Sequence, residues 1–338
     1  LETVARDRFT VIDPVLTSSS GGSLADAGVI ACYQRRLIPR ADLLTPNLPE
    51  AREILQQPIS TLAEMESAAI ALLERGAQAV LLKGGHLAEQ EGISSDTSGL
   101  RLVLDRYCDR KGHSYWIASH AVEREARGTG CTLASAVAAA VATGQDVLDS
   151  IVMARAYVQR GITHAHQKML KHASWPVHDR DFPWMGTKLD EVRERFTFPT
   201  TGPRPLGFYP IVDRAAWIPR LAQQGVDLVQ LRVKDLTGEP LAQEVAQACQ
   251  YAKTYKLRLF INDFWQLALA NAAYGVHLGQ EDLESADIAA IAAGGLRLGV
   301  STHSYAELAR AKALHPSYIA LGPIYETTCK SMRFGPQG

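Results

Sequence analysis

The chain has 338 residues, 46% of them hydrophobic and 21% charged, with a formal net charge of −1. That length suits two ordinary domains better than one. The near-neutral balance supplies neither the basic footprint of a nucleic-acid partner nor a polybasic membrane patch. No signal peptide is visible, and no apolar run reaches the roughly 18 residues a membrane helix needs. Five scattered cysteines, odd in number and without a CxxC pair, point to a reducing cytoplasm. The chain opens on Leu1 rather than Met and stops at Gly338, so both ends read as cut.

In chain order, 9–15 reads as a buried strand ending at Asp13 and Pro14, followed by a Ser/Gly-rich loop over 17–23. Helical periodicity covers 24–37, and a short strand covers 41–45. The sequence TPNLPE (Thr45 to Glu50) then opens another helix. A strong amphipathic helix spans 60–75, with Ser60 in the capping position and Gly76 as its stop. The strand Ala79–Lys83 runs into Gly84, Gly85 and His86, and 102–107 with 113–117 form a strand pair around Lys111 and Gly112. The alternation is α/β. Its chemical centre is RGTGCT, Arg127 to Thr132, which enters an apolar helix over 133–142. Gly128 and Gly130 let backbone amides turn inward together, and the helix start adds partial positive charge, so an anion hole is expected. Cys131 falls in the first turn, where a thiol pKa tends to fall and a thiolate can act as a base. The plainer alternative is a glycine-containing helix start whose small Cys packs on the sheet.

A long helix spans 146–163, after which the composition shifts. His164, His166, His172 and His178, with the prolines from Pro176 to Pro205, give no sustained period, so 166–206 reads as a linker with one helical piece near 188–195. The histidines lack partners at metal-ligand spacing and read as surface residues. Six strand–helix units follow, with strands at 208–212, 226–231, 257–261, 274–278, 296–300 and 317–321 and a polar motif after each. That order points to a TIM (β/α)8 barrel of which six strands are present. At the strand ends Gln230, Arg232, Lys234, Asn262, Asp263, Asp282, Ser301, Thr327 and Lys330 would face one mouth. Cations, small hydroxyls and two carboxylates able to share one Mg2+ describe a polyphosphate site. Individually these residues have blander readings: Asp263 as a helix cap, Asp282 as a solvated turn residue.

The motifs DPV (Asp13 to Val15), TPNLPE, LLKGGH (Leu81 to His86) and GTGCT (Gly128 to Thr132), in that order, resemble hydroxymethylpyrimidine (phosphate) kinase, a ribokinase-fold enzyme. The resemblance implies an anion hole at Gly128 to Cys131 for the transferred phosphoryl group, with Cys131 as the base. It places Lys83 and Thr129 with ATP, and Asn47 and Glu50 at the metal–phosphate site. Arg127 stands where that family usually has His, 122–126 lacks its DTxNT pattern, and its N-terminal third is absent. In the second half QLRVK (Gln230 to Lys234), NDFWQLAL (Asn262 to Leu269), GVHLGQED (Gly275 to Asp282), GVSTHS (Gly299 to Ser304) and LGPIYETTCK (Leu321 to Lys330) resemble thiamine-phosphate synthase. That resemblance implies Asp263 and Asp282 holding Mg2+ on the pyrophosphate of hydroxymethylpyrimidine diphosphate. Arg232, Lys234, Ser301 and Lys330 would contact the same pyrophosphate, Gln230 and Asn262 would orient the pyrimidine, and Thr327 would sit by the thiazole phosphate. Glu326 and Cys329 replace the family's Pro and Thr in its PTxTK loop.

The expectation is therefore a two-step thiamine-synthesis enzyme using Mg2+ and ATP, with pyrimidine and thiazole phosphate as small-molecule partners and no nucleic acid or membrane. Its parts are a partial ribokinase-like domain over 1–165, a linker over 166–206 and a partial barrel over 207–338. A homo-oligomer is expected, because a barrel lacking strands has open edges to cover. The alternative keeps only the synthase as an enzyme and makes the first half a non-catalytic regulatory module.

Overall fold

Strands of the first unit hydrogen-bond in chain order: β1 (Val11–Ile12), β2 (Leu43–Leu44), β3 (Ala79–Lys83), β4 (Leu102–Asp109), β5 (Ser114–His120) and β6 (Trp184–Gly186). The first three are parallel and the rest antiparallel. The computed structural model describes residues 8–16, 25–85, 87, 99–172, 178–193, 196–326 and 335–336. It divides into Leu1–Arg195 and Phe196–Gly338. The Ser/Gly-rich stretch 17–23, His86, Thr327 and Lys330 lie outside the described residues.

Local chemistry explains the element ends. Asn47 and Glu50 form a reciprocal cap on the Leu48–Leu55 helix, each side chain accepting the other's backbone N–H. The Leu62–Glu74 helix is capped by Thr61 rather than Ser60. Thr61 Oγ1 accepts from the Glu64 N–H, and Glu64 accepts the N–H of Thr61 in return. The β4–β5 turn is pinned by the Asp109 carboxylate, which accepts from the N–H groups of Lys111 and His113. Helices Thr129–Ala142 and Val147–Thr163 pack on one another.

The stretch 166–206, expected as a linker, is divided between the units. Trp184–Gly186 adds an antiparallel strand to β5, and the Trp184 indole N–H donates to the Val192 carbonyl. Phe198 joins the core of the second unit, where the carbonyls of Pro199, Thr200 and Thr201 accept from Ser317, Arg297 and Arg258. A three-residue strand and a run of carbonyl caps leave no periodicity to read.

In the second unit β7 (Ile211–Val212), β8 (Leu228–Leu231), β9 (Arg258–Asn262), β10 (Gly275–Leu278), β11 (Arg297–Thr302) and β12 (Tyr318–Leu321) are neighbours in sequence order and all parallel. This is a curled parallel sheet of the TIM-like kind. Val229, Leu231, Leu259, Ile261, Val276, Leu278, Leu298 and Val300 share one core with helix residues such as Ile218, Val245 and Ile291. The alternate positions, Gln230, Phe260, His277 and Tyr318, therefore face the opposite, inner side. Two glycines make room there. A Cβ at Gly275 would stand 2.4 Å from the Phe260 ring, and one at Gly299 would stand 2.2 Å from the Tyr318 ring. Among the described residues no helix is long and apolar enough to cross a membrane.

Two candidate active sites, one in each unit

In the first unit, strand ends deliver Asp13, Thr45 and Lys83 to one place. Lys83 Nζ lies 3.0 Å from Asp13 Oδ1, to which the Thr45 hydroxyl also donates at 3.1 Å. Gly128, at φ +80°, starts the Thr129–Ala142 helix with no side-chain cap, which leaves the first amides for another acceptor. Gly130 lets that helix start approach the ion pair: a Cβ there would be 3.0 Å from Lys83 Nζ and 3.6 Å from Asp13 Oδ2. Asn47, Lys83, Thr129 and Gly130 line one cavity of about 670 Å³, together with Asp105 and Arg155. Ligand pockets commonly fall between about 300 and 1,000 Å³.

Two expected residues sit differently. Glu50 does not line that cavity; it is buried in its capping box, and burial pushes its carboxyl up against the opposing pull of Lys83. Cys131 lines the neighbouring cavity of about 630 Å³ between the two helices, with Tyr157 and His172. Its thiol is pushed up, first by burial and then by the Asp13 carboxylate, with Lys83 pulling the other way. Burial first, and then the Asp13 carboxylate, thus outweigh the expected fall in thiol pKa. Asp13 carries no role in the expectations from sequence; its position just past an apolar run was the available signal.

In the second unit Lys234 Nζ lies 2.5 Å from Asp263 Oδ2. Asp263 is in the left-handed region at φ +64°, uncommon for a residue with a side chain. It does not cap the next helix, whose N-cap is Phe264 without a side-chain bond. Asp282 stands in the Gln280–Ser285 helix after β10, and its carboxylate accepts the Gly279 N–H at 3.3 Å. Its carboxyl is raised, first by burial, then by the charge of Asp263 and a hydrogen bond with it. Two carboxylates within hydrogen-bonding reach fit a hard cation, and Lys234 beside them adds positive charge for phosphate oxygens. Among the described residues no group of three or more His, Cys, Asp or Glu could hold a metal. A cation here would complete its shell with water or substrate oxygen, the Mg2+ habit.

Arg232 and Lys234 are exposed while Leu231 and Val233, which alternate with them, are buried, so the two cations share a side. Gln230 and Asn262 are buried on the inner face. Ser301 Oγ lies 2.8 Å from Nε2 of His277, a residue given no role by the sequence. Its signal was a polar side chain between Val276 and Leu278 in a strand otherwise apolar. Burial pushes the His277 imidazole down to about 4, so it is neutral near pH 7.

Strand-end carboxylates, cations and a glycine-started helix are the parts from which an α/β fold builds a site for phosphorylated small molecules. A family model for phosphomethylpyrimidine kinase matches residues 2–178, and one for thiamine monophosphate synthase matches residues 208–338. The chain belongs to the phosphomethylpyrimidine kinase family, and the part that follows is similar to thiamine monophosphate synthase. It is 59% identical over 133 residues to the thiamine-phosphate synthase of Photorhabdus laumondii subsp. laumondii, covering 39% of this chain and 62% of the relative. It is 57% identical over 141 residues to that of Serratia proteamaculans, covering 42% and 66%. The chain thus spans less than two thirds of these curated relatives. A solved phosphomethylpyrimidine kinase from Clostridium difficile 630 is 28% identical over 46% of this chain and 58% of its own, with a TM-score of 0.36.

Proposed function

We propose that the protein catalyses two consecutive steps of thiamine synthesis in the cytoplasm. The first unit phosphorylates hydroxymethylpyrimidine and its monophosphate with ATP. The second couples the resulting diphosphate to thiazole phosphate, giving thiamine phosphate and pyrophosphate. The observation that carries this reading is the Asp263–Asp282 pair with Lys234 at the strand ends, inside a segment 59% identical to a thiamine-phosphate synthase.

In the second unit Asp263 and Asp282 would hold Mg2+, which supplies positive charge to the diphosphate. Arg232, Lys234 and Lys330 neutralise the departing pyrophosphate, and Ser301 donates to it. Gln230 and Asn262 orient the aminopyrimidine, Thr327 sits by the thiazole phosphate, and the ring cluster around Phe260 keeps water away. The C–O bond to pyrophosphate breaks to leave a benzylic-type cation, and the thiazole nitrogen closes the C–N bond. No strong base is needed; charge stabilisation and dryness do the work. In the first unit Lys83, Thr129 and the amides from Gly128 onward hold the ATP phosphates, and Asn47 belongs to the metal–phosphate end. Glu50, which the resemblance puts there too, acts through the hydrogen bond it accepts from the Asn47 backbone. The resemblance assigns the hydroxymethyl proton to Cys131, whose thiol here must be deprotonated against burial and the nearby Asp13 carboxylate. Positioning and charge carry phosphoryl transfer.

Coupled turnover by the full-length protein tests the reading. Hydroxymethylpyrimidine, ATP, Mg2+ and thiazole phosphate together should yield thiamine phosphate. Product formed only when the pyrimidine diphosphate is supplied ready-made removes the kinase half of the proposal, and no product in either case removes both.

A further inference from the structure

The inner face of the second unit holds a continuous polar chain among aromatic rings. Gln230 Nε2 donates to the Tyr209 hydroxyl at 3.3 Å, Tyr209 OH lies 2.9 Å from Tyr318 OH, and Tyr318 OH lies 2.7 Å from His277 Nδ1. His277 Nε2 lies 2.8 Å from Ser301 Oγ. Gln230 and His277 are buried, and the His277 and Tyr318 rings stack at 5.6 Å between centroids. Each hydroxyl has one proton, and a neutral imidazole has one donor and one acceptor. A chain of such groups has only two self-consistent directions.

With Gln230 as the donor, every later bond follows. Tyr209 could accept from both the amide and Tyr318, but that would leave its own buried proton without an acceptor in the chain, so the proton goes to Tyr318. Tyr318 then gives its proton to Nδ1, which must be bare. The imidazole proton is therefore on Nε2 and goes to Ser301 Oγ. Ser301, having accepted, has its hydroxyl proton left for a ligand in the mouth. With the Gln230 amide turned round, all bonds reverse, Ser301 spends its proton on Nε2, and only lone pairs face the mouth. Burial pushes the Tyr209 phenol up to about 12 and raises Tyr318 as well, so both hydroxyl protons are retained.

We infer that His277 is a positioning residue held as the Nε2–H tautomer by the Gln230–Tyr209–Tyr318 chain, and that this fixes Ser301 as a hydrogen-bond donor toward an anionic oxygen of the ligand. The anionic ligand rests on the functional reading above; the tautomer does not. The relay also joins two ends of one ligand, since Gln230 begins it and Ser301 ends it. Turning the Gln230 amide, as a mispositioned pyrimidine would, turns Ser301 from donor to acceptor.

The test is ¹⁵N NMR of His277 in the full-length, ligand-free protein, with Tyr318→Phe alongside. The wild type should show a pyridine-type Nδ1 and a pyrrole-type, protonated Nε2. Tyr318→Phe keeps the ring but removes the proton given to Nδ1, so its His277 should show a mixture of tautomers. Synthase assays on the same variant should give a KM for pyrimidine diphosphate raised by about fivefold to tenfold, the loss of roughly one hydrogen bond, with the KM for thiazole phosphate unchanged. A wild-type Nδ1–H tautomer overturns the inference, as does a variant whose tautomer and KM both match the wild type. An Nε2–H tautomer in a protein without synthase turnover would instead retire the functional reading and leave the relay standing.

Discussion

The Lys234 ammonium sits 2.5 Å from Asp263 Oδ2, while the neighbouring Asp282 carboxyl is raised by burial and by the charge of that same aspartate. Lys234 is thus a counter-charge for the carboxylate pair. Its side chain is half exposed, so Lys234→Met should change stability by no more than about 0.5 kcal/mol. Synthase turnover should nevertheless fall by about 100-fold, the usual loss when one charge-stabilising donor is removed. Urea denaturation and steady-state assays on one preparation separate the two effects.

Asp282 gives a pH prediction for the metal-free protein. A carboxyl whose folded pKa is raised binds its proton more tightly in the native state than in the unfolded one. The contribution of Asp282 to stability is therefore fully present below the ordinary carboxyl range and is lost as pH rises from there through the raised value. Asp282→Asn removes that decline, so its melting temperature at neutral pH should exceed that of the metal-free wild type. Added Mg2+ should raise the wild-type melting temperature and leave the variant's unmoved. A variant that melts below the wild type at pH 7 and above it at pH 4 would reverse the sign and sink this account of the pair.

Glycine substitutions probe the inner face. A Cβ at Gly275 would stand 2.4 Å from Phe260 Cε1 and 2.7 Å from the Arg297 carbonyl oxygen, and backbone cannot swing aside. At Gly299 the close atoms belong to the Tyr318 ring alone. Both alanine variants should lose about 1–3 kcal/mol, Gly275→Ala the more. Gly299→Ala should also displace Tyr318 and weaken pyrimidine diphosphate binding. Equal stability of both variants and wild type in urea would contradict the packing described.

In the first unit the charge of Asp13 raises the Cys131 thiol and Lys83 opposes it. Asp13→Asn should therefore lower the pH midpoint for alkylation of Cys131, and Lys83→Met should raise it. Peptide-resolved mass spectrometry after timed iodoacetamide labelling distinguishes Cys131 from Cys32, which is also exposed. Midpoints that move together, or not at all, would show that neither charge acts on the thiol.

Much of this was legible from sequence because the signals were long or repeated. Six apolar runs, each ending in polar residues, are a pattern that chance seldom produces, and Lys234, Asp263 and Asp282 converge as that pattern requires. What stayed hidden depended on contacts between distant residues. The strand Trp184–Gly186 is too short to show a period and exists because β5 offers it an edge. The exchange of Thr61 for Ser60 as a cap turns on which of two adjacent hydroxyls receives the Glu64 N–H, since the Glu64 carboxylate accepts from the N–H of both. His277 was quoted within a motif but gained a role only once Tyr318 and Ser301, 41 and 24 residues away, came within hydrogen-bonding distance. Cys131 shows the opposite case, where a local rule about helix starts loses to burial and to Asp13, distant in sequence.

The most direct measurement is pyrophosphate release from hydroxymethylpyrimidine diphosphate and thiazole phosphate, followed across a Mg2+ titration for the wild-type protein and Asp263→Asn. The wild type should saturate with Mg2+, and the variant should lose about 100-fold in turnover at every concentration. Asp263→Asn turning over at the wild-type rate, with the same Mg2+ dependence, would contradict the carboxylate pair as the centre of the site.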